Sequence, residues 1–292
     1  MQPNSGILKW IPPKFHAYAR LARIDKPIGI WLLLLPCYWG LALTSSHLPL
    51  PEILLFTIGA VLMRSVGCIY NDWVDRDFDS KVRRTANRPL ASKALSVYQA
   101  YRFMVLLLGL AFLVLLSFSF EVILLGGLSL ILVVLYPWMK RFTYWPQAFL
   151  GLTFNWGILM GSLVGGGRLD LKTFLLYGAG IFWTLGYDTI YAFQDRDDDA
   201  LIGVKSTALK FSRHPKLFLM VVYGAFWFLL LILGWISEFH QAYILGISLV
   251  GVHLFWQGVT LNPEKSEDCL KKFKSNTLTG LLVILALLLG RL

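Results

Sequence analysis

Long apolar stretches separated by short polar segments dominate the sequence. Nine of them are about long enough to cross a membrane as a helix, and they cover roughly residues 28–45, 51–70, 100–119, 121–138, 146–164, 172–193, 215–236, 240–260 and 276–291. Between the third and the fourth, only Ser117 to Glu121 offers a turn. The pattern predicts an all-α, multi-pass membrane helical bundle with nine transmembrane helices.

The composition agrees with a membrane protein. Apolar residues make up 57% of the 292 residues and charged residues only 15%, against about 25% charged residues in soluble proteins. A membrane bundle can use the whole length as one unit, so we predict a single membrane-embedded domain over 1–292. The three cysteines are well separated, which gives neither a disulfide framework nor metal-ligand spacing.

Lysine and arginine lie almost entirely on one side of the predicted bundle. With nine spans, all but four of the 27 basic residues fall on the side of the N-terminus; the exceptions are Arg64, Arg168, Lys172 and Arg291. By the positive-inside rule, this side is cytoplasmic. The net charge of +10 therefore orients the chain in the lipid bilayer, and we expect no nucleic-acid partner.

An Asp-rich run follows the second apolar stretch. Asn71, Asp75 and Asp79 lie at i, i+4 and i+8, so a continuing helix would stack them on one face. Clustered carboxylates repel each other and are costly beside a membrane unless a cation lies between them. This run therefore indicates a site that needs a cation.

A second acidic run ends the sixth apolar stretch. Asp188, Tyr191, Asp195 and Asp199 lie at i, i+3, i+7 and i+11, which again predicts one face of a helix. Both runs end on the same side of the membrane, so they can face each other across the bundle. Because Mg²⁺ uses one or two carboxylates together with water and substrate phosphate oxygens, two opposed acidic runs suit a Mg²⁺-bridged diphosphate. The alternative is two solvated acidic loop starts.

Arg64 lies inside an apolar stretch, seven residues before Asn71 and so on nearly the same face. An intramembrane arginine is expected to face the interior and to pair with an anion. The partner is either an Asp of the first run or the carboxylate of a substrate. Other basic residues near the runs can bind phosphate oxygens; they are Lys81, Arg83, Arg84, Arg88, Lys140, Arg141 and Lys205.

Both acidic runs, with their flanks, resemble the paired signatures of the UbiA-type intramembrane prenyltransferases. The first comprises Asn71-Asp72-Trp-Val-Asp75-Arg-Asp-Phe-Asp79 and Thr85-Ala-Asn87-Arg88-Pro-Leu; the second comprises Tyr187-Asp188-Thr-Ile-Tyr191-Ala-Phe-Gln-Asp195-Arg-Asp-Asp-Asp199 and Gly203-Val-Lys205-Ser-Thr. Arg23-Ile-Asp25-Lys26-Pro-Ile-Gly and Tyr136-Pro-Trp-Met-Lys140-Arg141-Phe-Thr also match. The likeness spans residues 20 to about 210 and is greatest for the branch that acts on 4-hydroxybenzoate.

The resemblance implies Mg²⁺-dependent transfer of a polyprenyl group from polyprenyl diphosphate to the ring carbon ortho to the hydroxyl of 4-hydroxybenzoate. The product would be 3-polyprenyl-4-hydroxybenzoate, in ubiquinone biosynthesis. The implied metal ligands are Asn71, Asp75, Asp79, Asp195 and Asp199, and the implied diphosphate ligands are Arg88, Lys140 and Lys205. The implied residues at the aromatic acid are Arg64, Arg141 and Tyr191, and the implied catalytic residues are Asp75, Asp188, Asp195 and Arg64. Asp188 would activate the phenol.

Two other readings of the residues stay open. A member of the same family could use a naphthoate, a haem vinyl group or homogentisate, although Arg64 and the Tyr-Asp-Thr-x-Tyr-Ala run favour 4-hydroxybenzoate. An ion-coupled transporter would place its acids near the middle of the bilayer in two repeated halves. The acids of this chain instead lie at the ends of predicted helices, on one side of the membrane.

The resemblance also implies a central cavity that opens sideways to lipid, with cytoplasmic loops at 71–99 and 194–214 as its cap. Residues 1–26 mix basic and aromatic side chains, which is typical of an interfacial segment. They show no small-residue cleavage site and lack the Ser-rich, Arg-rich composition of an organelle transit peptide. We therefore expect a bacterial inner (plasma) membrane, with the N-terminus and the active-site loops cytoplasmic.

Overall fold

The computed structural model describes residues 6–47 and 49–292, and in this part of the chain every regular element is helical. Residues 1–5 of the predicted interfacial segment lie outside the described residues. The helices are α1 (His16–Leu21), α2 (Ile28–Thr44), α3 (Leu50–Asp79), α4 (Val97–Leu115), α5 (Phe120–Phe142), α6 (Pro146–Val164), α7 (Leu171–Ala192), α8 (Arg196–Ile202), α9 (Thr207–Lys210), α10 (Pro215–Ile236), α11 (Ala242–Thr260) and α12 (Ser266–Leu289).

Each predicted apolar stretch corresponds to a helix. Over residues 6–47 and 49–292, seven helices are long and apolar enough to cross a membrane, namely α3, α4, α5, α6, α10, α11 and α12. The predictions of an all-helical chain and of several membrane spans are thus confirmed. Of the other two predicted spans, α2 is apolar but has only 17 residues, and α7 is not among the seven and contains Asp188, the first acid of the second run. The helix α12 begins at Ser266 rather than at 276, because three lysines in its first turns interrupt the apolar pattern.

The centre of the bundle is built on the contact between α2 and α6, which pack with their backbones touching. A Cβ atom on Gly161 of α6 would lie 2.2 Å from the carbonyl oxygen of Cys37 on α2. Small residues allow such close approach between membrane helices, where no hydrophobic force drives association. Next to this contact, Trp39 packs against Trp183 of α7 with ring centroids 4.8 Å apart, and its indole N–H donates to the carbonyl of Gly280 on α12.

Both acidic runs lie at one end of the bundle, where two connecting segments cover it. The segment 80–96 joins α3 to α4, and the segment 193–214 joins α7 to α10; we call them the cap segments. The second cap segment is held by the adjoining ends of α5 and α6: the Lys205 N–H donates to the carbonyl of Lys140, and the Thr207 N–H donates to Gln147 Oε1.

The two runs differ in local structure. The first continues as helix to Asp79, as its spacing predicts, so the first cap segment begins at 80 and not at 71. The second does not form one helix. Helix α7 ends at Ala192, a 3₁₀ turn covers Phe193–Asp195, and α8 follows, so the expectation of a single helical face from Asp188 to Asp199 is wrong. Three aspartates in the first turn of α8 favour a new helix N-terminus there, because the helix dipole is positive at that end.

Candidate functional site

A cavity of about 1740 Å³ lies beneath the cap segments, between the helices that carry the two acidic runs. Its lining is polar next to the cap and apolar further into the bundle. All but one of the site residues predicted from the sequence line it, namely Asn71, Asp75, Asp79, Asp188, Asp195 and Asp199, together with Arg64, Arg88, Lys140, Lys205 and Tyr191. The structure therefore brings residues from α3, α5, α7 and both cap segments to one space.

Asp75 and Asp79 of α3 are buried, and each is held by a cation from another segment. The Lys140 ammonium contacts Asp75 Oδ2, and Arg88 Nη1 donates to Asp79 Oδ2 at 2.7 Å. These ion pairs supply the positive charge that the clustered carboxylates require. Asp75 Oδ1 is nevertheless buried without a hydrogen-bond partner.

Asp72 is a member of this cluster that the spacing of the first run does not select. It is 1% exposed, and both of its carboxylate oxygens accept from Arg23 Nη2 at 2.7 Å. Arg88 Nη1 also donates to it at 3.1 Å, so Arg88 bridges Asp72 and Asp79. Arg23 takes a left-handed backbone conformation with φ 57° just before α2. Asp72 thus fixes the N-terminal segment to the end of α3.

On the opposite wall, Arg84 of the first cap segment binds the second acidic run. Its guanidinium makes a two-pronged contact with the Asp195 carboxylate, donates to the Tyr191 hydroxyl at 2.6 Å and lies 4.8 Å above the Tyr191 ring. Tyr191 in turn packs on Phe273 of α12. Arg84 belongs to the set of basic residues that the sequence marks near the runs, but the positive-inside pattern gives no reason to prefer it.

Asp199 lies in the first turn of α8, close to a second carboxylate. Burial, followed by the neighbouring Asp195 carboxylate, raises the pKa of Asp199 to about 7. The nearby cations Lys140 and Arg84 oppose this rise in pKa without cancelling it.

Arg64 reaches the cavity from within α3. The acids of the first run pair with other cations, and over the described ranges no ion pair joins Arg64 to them. Its Nε is buried without a hydrogen-bond partner, and its Cζ lies 5.4 Å above the Phe154 ring of α6. The structure therefore does not support the alternative that Arg64 serves an Asp of the first run. It interacts electrostatically with Asp188 on α7.

Arg141 is the predicted site residue that does not line the cavity. Its Nη2 donates to the carbonyl of Val74 at 2.9 Å, and its Cζ lies 4.3 Å over the Trp138 ring. Arg141 Nη2 also lies 3.8 Å from Asp75 Oδ1, so Arg141 is next to the acids of the first run although Lys140 is the one that lines the cavity. That Arg141 binds the aromatic acid stays a prediction.

A ready-made metal site is absent from residues 6–47 and 49–292, since no three acidic, histidine or cysteine side chains are grouped to hold an ion. The predicted metal ligands instead face one cavity, in which Asp75, Asp79 and Asp195 are paired with basic side chains. This arrangement can bind a polyanion and cations together, because carboxylates and basic groups alternate around the same polar space.

Comparison with known proteins adds a family and a set of relatives. The model of the UbiA prenyltransferase family matches residues 33–288. The chain is 46% identical over 99% of its length to the rat protein named mitochondrial 4-hydroxybenzoate polyprenyltransferase, covering 78% of that protein. For the human protein of the same name, the identity is 47%, covering 99% of this chain and 79% of that protein.

The fold is similar to that of solved archaeal proteins. The apo structure of a UbiA homolog from Aeropyrum pernix K1 matches with a TM-score of 0.76 and 22% identity, over 88% of this chain and 96% of that one. A UbiA homolog from Archaeoglobus fulgidus, solved with GPP and Mg²⁺, matches with a TM-score of 0.65 and 17% identity, over 92% and 99%. At these identities the likeness concerns the fold.

The relatives also correct the expected location. The rat, human and Dictyostelium discoideum proteins are named as mitochondrial; the last is 45% identical over 99% of this chain and 63% of that protein. The expectation of a bacterial inner membrane is therefore wrong, and the relatives point to a mitochondrial membrane.

Proposed function

Because the chain belongs to the UbiA prenyltransferase family, we propose that it transfers a polyprenyl group from polyprenyl diphosphate to the ring carbon ortho to the hydroxyl of 4-hydroxybenzoate. The product is 3-polyprenyl-4-hydroxybenzoate, an intermediate of ubiquinone biosynthesis. The names of the rat and human relatives support this donor and acceptor. The observation that carries the proposal is that both acidic runs and Arg64 line one cavity with a polar and an apolar part.

Mg²⁺ is the cofactor that we propose for this site. The donor set fits it: Asp75 Oδ1 is buried without a hydrogen-bond partner, and Asp199 adds a further carboxylate to the same cavity. Asn71, Asp79 and Asp195 complete an all-oxygen set, which Mg²⁺ prefers. The Archaeoglobus fulgidus homolog bound to GPP and Mg²⁺ supports the same metal. When bound, Mg²⁺ neutralises the negative charge that develops on the diphosphate as the allylic C–O bond breaks.

Basic residues at the same end of the cavity bind the diphosphate oxygens. The cavity lining there includes Arg88, Lys140 and Lys205. Lys205 Nζ donates to the carbonyl oxygen of Phe142 at 3.3 Å. We add Arg84 to this set because its guanidinium also lines the cavity. Arginine and lysine suit phosphate oxygens because they are charged hydrogen-bond donors.

The acceptor lies between Arg64 and the acidic residues. Arg64 takes the carboxylate of 4-hydroxybenzoate, because it is a half-buried cation, with a buried Nε, that has no ion-pair partner in the first run. Asp188 lines the same space and accepts the phenol proton, which makes the ring more nucleophilic. The new C–C bond forms at the ortho carbon as the C–O bond to diphosphate breaks and diphosphate leaves. The ortho carbon then loses its proton to the released diphosphate, and Asp188 returns the phenol proton to the ring oxygen.

The apolar part of the cavity holds the polyprenyl chain and keeps water from the reacting carbons. Leu108, Ala111, Leu115, Phe118 and Val133 are among its lining residues. We further propose that α2 and α7 cross the membrane as well, giving nine crossings. The N-terminus and both cap segments then share the basic side, as the distribution of lysine and arginine supports.

Purified protein, incubated with Mg²⁺, a polyprenyl diphosphate and a panel of labelled aromatic acceptors, tests the function. We expect prenylated 4-hydroxybenzoate to form and turnover to stop on chelation. Preferred turnover of a naphthoate or of homogentisate would overturn the acceptor but not the family.

Substitution of the acids tests the metal assignment. Asp75→Ala and Asp195→Ala should each abolish prenyl transfer, because each removes an oxygen donor at the diphosphate, while the protein remains inserted in the membrane. Asp77→Ala is the matched control, since this side chain is 85% exposed and outside the cavity. Undiminished turnover in either of the first two variants would refute the assignment.

A further inference from the structure

Gly29 occupies an unusual position for a helical glycine, because a guanidinium fills the space where its side chain would be. It is the second residue of α2 and is buried. A Cβ atom built on it would lie 2.3 Å from Nε, 2.7 Å from Nη2 and 2.8 Å from Cζ of Arg64. All three atoms are closer than real Cβ contacts allow, so any side chain at position 29 requires Arg64 to move.

Backbone geometry does not explain this glycine. Position 29 lies in regular helix, a conformation that every L-residue adopts, and glycine costs about 1 kcal/mol relative to alanine inside a helix. The space next to it is therefore what requires glycine here.

Three helices together fix the guanidinium of Arg64. The residue belongs to α3, its guanidinium lies against the bare backbone of α2 at Gly29, and Phe154 of α6 presents its ring 5.4 Å away. Its Nε is buried between them, while the residue still lines the cavity. The first turn of α2 also carries backbone N–H groups without intrahelical acceptors and the positive end of the helix dipole. A carboxylate at Arg64 therefore meets two sources of positive potential.

We propose that Gly29 is a positioning residue for acceptor recognition: the missing side chain lets the Arg64 guanidinium lie against α2, where it binds the carboxylate of the aromatic acid. This inference rests on the proposed function. It makes the acid group, rather than the ring alone, the feature by which this site selects its acceptor. Uncharged ring analogues gain nothing from this arrangement.

Gly29→Ala tests the proposal directly. Because the clashing atoms are the far end of a flexible side chain, the variant should fold normally and displace only the guanidinium. We expect its Kd for 4-hydroxybenzoate, measured by calorimetry without Mg²⁺ or prenyl diphosphate, to rise about tenfold or more, since small misplacements of a binding group are costly. Its Kd for methyl 4-hydroxybenzoate should stay unchanged.

Two controls separate positioning from a general effect. Gly67→Ala adds the same methyl group to the same cavity wall, three residues from Arg64, where nothing lies within 4 Å; it should bind 4-hydroxybenzoate like the wild type. In an Arg64→Ala background, Gly29→Ala should cause no further loss, because coupled residues are not additive. A wild-type Kd in Gly29→Ala, or the same loss with Arg64 absent, would overturn the proposal.

A structure of the Gly29→Ala protein gives a readout that needs no substrate. We expect the guanidinium to have left the Phe154 ring; a guanidinium still in place would also overturn the proposal. If the wild-type protein bound no 4-hydroxybenzoate while the guanidinium moved as expected, the proposed acceptor would fail and the positioning of Arg64 by Gly29 would stand.

Discussion

At the scale of single residues, the site is defined by buried acids that carry their own counter-ions. Burying an unpaired carboxylate costs several kcal/mol, and removing one partner of a buried pair leaves that cost uncompensated. Arg88 bridges Asp72 and Asp79, and Lys140 holds Asp75. The basic residues at the cap therefore have two roles, since the groups proposed for the diphosphate also stabilise the acids.

Arg84→Gln should weaken the protein and its catalysis together. The side chain is 29% exposed and binds Asp195 and Tyr191, so we expect a loss of about 1–3 kcal/mol of stability and a clear rise in the KM for prenyl diphosphate. Thermal unfolding in detergent and steady-state kinetics measure the two effects. Arg83→Gln is the control, because at Arg83 it is the backbone N–H that binds Asp198; equal behaviour of the two variants would contradict the assignment.

Spacing along the chain was sufficient to find Asn71, Asp75 and Asp79, because one continuous helix repeats its faces regularly. It could not find the role of Asp72, whose partner Arg23 is 49 positions away. It also could not tell that Lys140 lines the cavity and Arg141 does not, since two consecutive basic residues look equivalent in a sequence.

At the scale of elements, the close contact between α2 and α6 supports one wall of the cavity. Gly161 permits it by touching the backbone of Cys37, which cannot give way as the end of the Arg64 side chain at Gly29 can. The sequence predicted that both helices exist but not that they are neighbours, because small residues recur in many of the apolar stretches.

Gly161→Ala should destabilise the protein although alanine is the better helix former. A methyl group 2.2 Å from a carbonyl oxygen forces the two helices apart, at a cost of about 1–3 kcal/mol. Gly109→Ala on α4, with nothing within 4 Å, should be neutral or stabilising. The two melting temperatures should therefore shift in opposite directions or only the first should fall; equal shifts would contradict the close contact.

At the scale of the whole molecule, the alternation of apolar stretches and the one-sided basic charge anticipated the bundle and the meeting of both acidic runs at one end. The membrane that contains it could not be inferred in the same way. The length of the spans reflects the thickness of the bilayer, and the one-sided charge reflects the orientation of the chain. Neither feature distinguishes a bacterial from a mitochondrial membrane.

Labelling of introduced cysteines tests the nine crossings. Ala94→Cys in the first cap segment and Lys265→Cys between α11 and α12 should react with a membrane-impermeant maleimide from one side. Arg168→Cys between α6 and α7 should react from the other. All three positions are exposed, and the native cysteines are buried and so should stay silent. Labelling of Ala94→Cys and Arg168→Cys from the same side would exclude this topology.

The ion pairs around the cap have a consequence for how the ligands enter. Arg88 and Lys140 neutralise the buried carboxylates of Asp79 and Asp75. They can move away only when an anion binds them and another cation takes their place at the carboxylates, because otherwise charged groups are left unpaired. Metal and diphosphate should therefore bind with mutual cooperativity, each tightening the other by the same factor, typically about 5–150-fold.

Titration of Mn²⁺, with and without a non-hydrolysable prenyl diphosphate analogue, measures this factor. Lys140→Gln should reduce this cooperativity factor, because Asp75 then has no lysine for the diphosphate to draw away. For the same reason, Mn²⁺ alone should bind to this variant more tightly than to the wild type. Independent binding of the two ligands would argue against the exchange. With this exchange, the protein without ligands keeps its buried acids paired and is stable to chelators. Its charged groups change partners only when the complete metal–diphosphate complex binds.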